Sequence, residues 1–201
     1  MGETQHAPVL ETPEVAMLIV RCLEPRRDFV ALAAASSRQR AVFADDEVWH
    51  SAMDQWLAKD PSVERLAYVG SKLSGRRRLR HVYGALAANA RFYRAFASGR
   101  CQELTAGLSE ASTVIHPEGE VMEGQDVMRS WQHLLHGAPV NVQCQGQIWR
   151  VDDALAVVVC GENFGSNVVQ ATNIYELKDG KWQMMHHHGS HPRSRRRIFD
   201  I

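Results

Sequence analysis

Cysteine is scarce in this chain: Cys22, Cys101, Cys144 and Cys160 are the only four in 201 residues, and none form a C-x-x-C pair. That spacing excludes a disulfide framework or a zinc knuckle as an expectation and favours buried free thiols in a reducing compartment. Charge of one sign is also missing. The 23 Lys and Arg balance 23 Asp and Glu, giving a formal net charge of zero, so neither nucleic acid nor an anionic membrane is expected as a partner. No apolar run approaches the roughly 20 residues that cross a bilayer. The opening residues Gly2, Glu3, Thr4, Gln5 and His6 are polar, which reads against a secretory signal, and their acidity reads against a mitochondrial presequence. Cytosol or nucleus is the expected location. What is present is ordinary for a soluble globular protein, 45% hydrophobic and 23% charged, with length for one generous domain or two small ones.

The pattern changes along the chain. Thr12 suits an N-cap and Pro13 the first helical position; Val15, Leu18, Ile19 and Cys22 then recur at helical spacing until Leu23-Glu24-Pro25. Asp28 opens a second helix through Phe29 and Leu32, Arg38 to Phe43 a third, and Asp45 or Asp46 a fourth with Trp49, Met53 and Trp56 on one face. Residues 1–60 therefore read as a small helical domain. Residues 61–84, basic at Arg76, Arg77, Arg78 and Arg80, read as a helical connector with a solvated face. From Ala85 an amphipathic pattern of Leu86, Asn89, Ala90, Tyr93, Phe96 and Ala97 runs to Ser98-Gly99.

Residues 85–192 read as a second domain. A short helix near 102–108 leads to a strand at 113–116 and another holding Val121 and Met122. A helix follows with Val127, Met128, Trp131, Leu134 and Leu135. Four strand-like segments close the domain at 140–151, 154–161, 168–177 and 181–190, with hairpin chemistry at Asp152-Asp153 and Lys178-Asp179-Gly180. Helices, short strands, a helix and a four-strand meander make the fold class α+β. Residues 193–201 form a basic tail.

The closing strand ends Lys181-Trp182-Gln183-Met184-Met185-His186-His187-His188-Gly189-Ser190. Alternation places Trp182, Met184, His186 and His188 on one face, and Lys181, Met185 and His187 on the other. Burial of Trp182 and Met184 should select the inner face, so His186 and His188 are expected inside, and His187 outside or toward a partner chain.

The N-terminal pattern resembles an F-box. The resemblance rests on Pro13-Glu14, Leu23-Glu24-Pro25-Arg26, Phe29 and Leu32, Ser36 and Ser37 before Arg38 and Arg40, and Asp45 to Trp49. Thr12 departs from it, standing where an F-box usually has Leu. It implies that Pro13, Leu23, Pro25, Phe29 and Trp49 hold a Skp-type adaptor of a cullin ubiquitin ligase. Three short helices of about 45 residues bury too little surface alone, so a partner helix would complete their core.

The segment from about Asn89 to Pro192 resembles the SnoaL-like branch of the nuclear-transport-factor-two superfamily, which includes ketosteroid isomerases. It does so through Phe92 to Gly99, Ser112 to Pro117, Glu123-Gly124, Ser130-Trp131, Ala171 to Tyr175, and Gly180 to Ser190. The fold so implied is a curved antiparallel sheet wrapped round helices, a cone with an internal pocket. Together the two parts resemble F-box proteins of plants and algae that carry a SnoaL-like domain. They imply a substrate receptor whose cone recruits a substrate or ligand. A non-catalytic accessory subunit and a small-molecule isomerase or hydrolase are the alternatives.

Candidate pocket-lining residues are His116, Trp131, Trp149, Asn173, His186 and His188, a few polar groups among apolar ones. A metal is not expected: only His186 and His188 could share an ion, about 6.5 to 7 Å apart along the strand, and no carboxylate or thiolate stands at partner spacing. No cofactor is expected either. Isomerase chemistry needs an acid base beside an oxyanion donor. Glu162 and Glu176 are the only acids on the late strands, and Tyr93 and Tyr175 offer phenols, but the sequence pairs none of them. No catalytic residue is therefore assigned, and His116, His186 or His188 would be the base of any enzyme. A homodimer through the outer sheet face is a further expectation.

Overall fold

The computed structural model describes residues 63–69, 73, 75–117, 119–136 and 138–192, with 75 and 76 described for backbone alone. The N-terminal domain expected over residues 1–60 and the basic tail lie outside the described residues. So do the adaptor-binding residues Pro13, Leu23, Pro25, Phe29 and Trp49. The chain divides into two compact units, Met1–Pro61 with Lys72–Tyr83, and Ser62–Ser71 with Gly84–Ile201.

In chain order the elements are β1 (Val63–Tyr68), α1 (Gly75–Ala97), α2 (Cys101–Thr105), β2 (Leu108–Ile115), β3 (Met122–Glu123), α3 (Gln125–Leu135), β4 (Gln143–Val151), β5 (Leu155–Asn163), β6 (Val168–Lys178) and β7 (Lys181–Ser190). They form one seven-stranded sheet in the order β1-β4-β5-β6-β7-β2-β3. The β4 to β7 meander is antiparallel throughout, while β1 joins β4 and β2 joins β7 in parallel. The α+β reading and the meander stand.

The connector expected over 61–84 needs correction. Val63–Tyr68 is an edge strand and a helix begins at Gly75. The strand's local pattern is mixed because its pairing is set by β4, more than 70 residues away in sequence, rather than by its own periodicity.

Local chemistry fixes the corners. After α1 the Gly99 N–H donates to Phe96 O (3.0 Å) and the Arg100 N–H to Ala95 O (3.0 Å), with Gly99 at φ 66°, a Schellman termination that needs a residue without Cβ. Asp179 and Gly180 have φ of 51° and 73° between the paired Lys178 and Lys181, the two-residue turn whose twist suits a hairpin. At the β4–β5 corner the Asp152 carboxylate accepts from Ala154 N (2.8 Å) and Leu155 N (2.6 Å).

The core lies between the sheet's concave face and one face each of α1 and α3. Phe92, Tyr93 and Phe96 of α1 and Val127, Trp131 and Leu135 of α3 are buried against Trp149, Val151, Val158, Tyr175, Trp182 and Met184. At Gly84 an added Cβ would stand 2.6 Å from Trp182 Cδ1. Only glycine lets α1 pass β7 so closely.

Candidate functional site: a buried polar network and its aromatic end

A row of cross-strand neighbours crosses the concave face: Trp149 of β4, Val158 of β5, Asn173 of β6, His187 of β7 and Val114 of β2. His187 is therefore inside, 2% exposed, which corrects the expected facing of the closing strand. The reason is a bulge. Tyr175 pairs with Met184 but Ile174 with His186, so Met185 is an extra residue. A bulge shifts the alternation by one. Trp182 and Met184 point in as expected, then His187 and Gly189 replace His186 and His188 on the inner face. His186 and His188 lie on the opposite face, rings 6.3 Å apart, with His186 Nδ1 2.6 Å from Thr113 Oγ1. Burial, then the neighbouring His188, lowers the His186 pKa.

A connected set of polar side chains lines the wall. Trp149 Nε1 donates to Gln147 Oε1 (3.0 Å), which also accepts from Asn89 Nδ2 (3.2 Å). Asn89 Oδ1 accepts from the Tyr175 hydroxyl (2.8 Å) and Asn173 Nδ2 (3.0 Å). Asn173 Nδ2 reaches the Tyr93 hydroxyl (3.1 Å), which donates to Glu162 Oε1 (2.8 Å) and contacts Cys160 Sγ (3.3 Å). Asn173 Oδ1 lies 2.7 Å from His187 Nδ1. Buried polar groups stay favourable when each finds a partner.

Burial sets the electrostatics. Desolvation lifts Glu162 to about 7 against the Tyr93 hydrogen bond. It raises Tyr93, with the Glu162 charge adding to it, and Tyr175 as well. The Cys144 thiol is raised first by its hydrogen bond with Cys160 and then by burial. Desolvation holds His187 down to about 3 and lowers His116, so both imidazoles are neutral near pH 7.

At the far end the polar wall gives way to rings. His116 stands edge-on to Trp131 at 4.8 Å, Trp131 is 5.3 Å from His187, and His116 is 6.3 Å from His187. Phe92 lies 5.6 Å from Trp131 and 5.5 Å from His187; Phe96 is 5.2 Å from Trp131. His116 Nε2 is 3.3 Å from Ser130 Oγ.

Of the expected lining residues, His116, Trp131, Trp149 and Asn173 meet on the inner face; His186 and His188 do not. Sequence reasoning left Asn89 and Gln147 unassigned, placed His187 on the outer face, and did not pair Tyr93 with Glu162. One signal was visible: Asn89 and Tyr93 are one helical turn apart on a stripe that is otherwise apolar. Among the described residues no group of three or more His, Cys, Asp or Glu is placed to hold a metal ion, and no helix is long and apolar enough to cross a membrane.

A strongly curved sheet closed by helices over a mixed polar and aromatic interior defines the cone class of α+β domains. The SnoaL-like domain family matches residues 85–194, more than half of the chain, and the chain belongs to that family. The cone resembles a provisionally named dehydratase of the NTF2-like family from Streptomyces avermitilis, at 20% identity and TM-score 0.51 over 57% of this chain and 97% of that one. It is also similar to a provisionally named ketosteroid isomerase from Parabacteroides distasonis, at 16% identity and TM-score 0.45 over 54% and 85%. An NTF2-like protein of unknown function from Pseudomonas putida shares 16% identity, with TM-score 0.49 over 58% and 92%. At 20% identity the likeness to the first of these speaks to the fold alone. No curated protein matches the chain, and no F-box family match is found for the N-terminal residues.

Proposed function

We propose that the chain is the substrate-receptor subunit of a Skp–cullin–F-box ubiquitin ligase, its cone serving to recognise a substrate or ligand rather than to transform one. The observation supporting recognition over catalysis is the environment of the two inner imidazoles. Among the described residues neither His116 nor His187 hydrogen-bonds a carboxylate, so neither has the acid partner that would tune it as a base. The adaptor half of the reading is supported by the residues Pro13, Leu23, Pro25, Phe29 and Trp49. Purification of the full chain with a Skp adaptor and its cullin is the test. A stable complex is expected, lost in Leu23→Asp; no complex with the unaltered chain overturns the proposal.

One observation favours a second reading, a small-molecule isomerase or hydrolase. Glu162, at about 7, has a general base's pKa and touches the Tyr93 hydroxyl. Turnover of a β,γ-unsaturated ketone, lost in Glu162→Gln, would establish it; absence of turnover across a panel of such ketones would remove it. Homodimerisation through the outer sheet face is supported by the half-buried Val157, Val159 and Ile174 there, and sedimentation of the full chain decides it.

A further inference from the structure

Strand β2 is only partly covered on one flank. It pairs with β7 on one side, and on the other β3 reaches it at Thr113 and Val114. Beside the earlier part of β2, between it and α3, opens a groove of about 800 Å³. Leu108, Val127 and Met128 line it with apolar surface, and Met128 is 46% exposed. Neither the polar network nor the rings around Trp131 contribute to its lining, so the groove is separate from the interior of the cone.

The approach to the groove is acidic. Glu110 lines it, Glu123 and Asp126 are exposed where β3 passes into α3, and Glu120 is exposed in the loop before β3. Asp126 pairs with Arg129 (3.0 Å), whereas Glu120 and Glu123 have no ion pair among the described residues. Apolar surface reached past acidic side chains suits an extended segment in which arginines precede large apolar residues. The chain carries such a segment after its last strand: Arg193, Arg195, Arg196 and Arg197, then Ile198 and Phe199.

The distances allow the two to meet. A Cβ added at Gly189 would stand 3.1 Å from Pro117 Cδ, so β7 ends beside the loop that carries Glu120. Glu123 is opposite Thr113 and Thr113 opposite His186, which puts Glu123 about 10 Å across the sheet from β7. Pro192 lies about 20 Å beyond His186 along the chain. The separation of Pro192 from Glu123 is then about 22 Å, and the segment from Arg193 to Phe199 spans about 23 Å when extended. We propose that this C-terminal segment docks on its own cone: its arginines run past Glu120, Glu123 and Asp126, and Phe199 enters the groove beside Met128. Burial of the Phe199 ring holds the strap, and the arginines make it sensitive to salt. The strap involves the cone alone and stands independently of adaptor binding.

The test uses the full chain labelled with 13C at its methionine methyl groups. Met128→Leu assigns the Met128 signal, and the buried Met184 reports the fold. A nuclear Overhauser contact between the Phe199 ring and the Met128 methyl is expected, unchanged on dilution. Phe199→Ala should move the Met128 signal and leave Met184 in place. It should also speed tryptic cleavage at Arg195, Arg196 and Arg197 about tenfold or more, the loss of one buried ring. Replacing these three arginines with Glu should abolish the contact. Should either variant fail to fold, the Overhauser contact in the unaltered chain still decides. A Met128 methyl that shows no contact with Phe199 overturns the inference. So does a contact that fades on dilution, which would place the segment on a second copy, or one that survives the reversal of charge.

Discussion

The two ends of the cone's interior differ in how they treat hydrogen bonds. At the Trp149 end, Gln147, Asn89, Tyr175 and Asn173 use their polar atoms on one another. At the Trp131 end, a buried indole N–H finds no acceptor among the described residues, and the polar wall gives way to rings. Helix α1 supplies both ends, so the element alone does not explain the contrast. It follows from Asn89, a polar residue on the buried stripe of α1, around which the first end organises itself, whereas Phe92 and Phe96 on the same helix offer the second end nothing to bond. A closed network is a framework; an open one leaves a buried donor whose unmade bond is a cost the surrounding ring packing must offset.

Removing the hub should give the largest effect. Asn89→Ala strands the buried Tyr175 hydroxyl and one Asn173 N–H, and takes a donor from Gln147. Each unsatisfied group costs about 1 to 3 kcal/mol, so a loss of roughly 3 to 5 kcal/mol is expected by urea denaturation. A loss below about 1 kcal/mol would mean that the network does not hold the wall.

Acid should separate the two ends next. The folded-state pKa of His187 lies near 3 against an ordinary 6.5. The unfolded chain therefore takes up a proton as pH falls below 6.5 while the folded one does not, and stability is lost between pH 6.5 and 3. Glu162 acts in the opposite sense: raised from 4.5 to about 7, its contribution is full below 4.5 and lost as pH rises through 7. Stability should therefore climb steeply from pH 3 to 4.5 and flatten where the two slopes oppose. Each contribution is on the order of a few kcal/mol. Glu162→Gln should remove the flattening, so that stability climbs on to about pH 6.5; an unchanged profile would remove Glu162 from the account.

How much of this could be read beforehand depends on the range of the interaction responsible. The meander, its Asp-Gly turn and the inward Trp182 and Met184 follow from alternation and turn chemistry, which act over a few residues, and all were legible. The facing of His187 was not. The bulge at Met185 is set by the pairing of β7 with β6 and leaves no mark in Met184-Met185-His186. Tyr93 and Glu162 are 69 residues apart, and no spacing rule joins a helix residue to a strand so distant. The strand at Val63–Tyr68 was hidden for the same reason.

The passage of α1 over β7 offers a smaller test, one that should disturb packing while leaving both hydrogen-bonded ends intact. A Cβ at residue 84 would sit 2.6 and 2.8 Å from Trp182 Cδ1 and Nε1, too close without movement of the indole. Alanine is the better helix former by about 1 kcal/mol, yet Gly84→Ala should destabilise by about 1 to 3 kcal/mol through overpacking. Neutrality or a gain would show that Trp182 has room to turn.

The smallest effect should come from the outer face, and it also tests the bulge. With unbroken alternation His188 would share the buried face of Trp182, and truncating it would open a cavity. With Met185 as the extra residue, His188 is exposed and pairs across to Thr172 and Ile115 on the solvent side. His188→Ala should therefore change stability by no more than about 0.5 kcal/mol, as exposed substitutions do. His187→Ala on the adjoining position should cost several times that, because it leaves Asn173 Oδ1 without its donor and empties a site walled by Phe92 and Trp131. Thermal melts of the two variants side by side suffice. Equal losses, or a larger loss at His188, would show that the strand runs through Met185 without the bulge and that His186 and His188 belong inside.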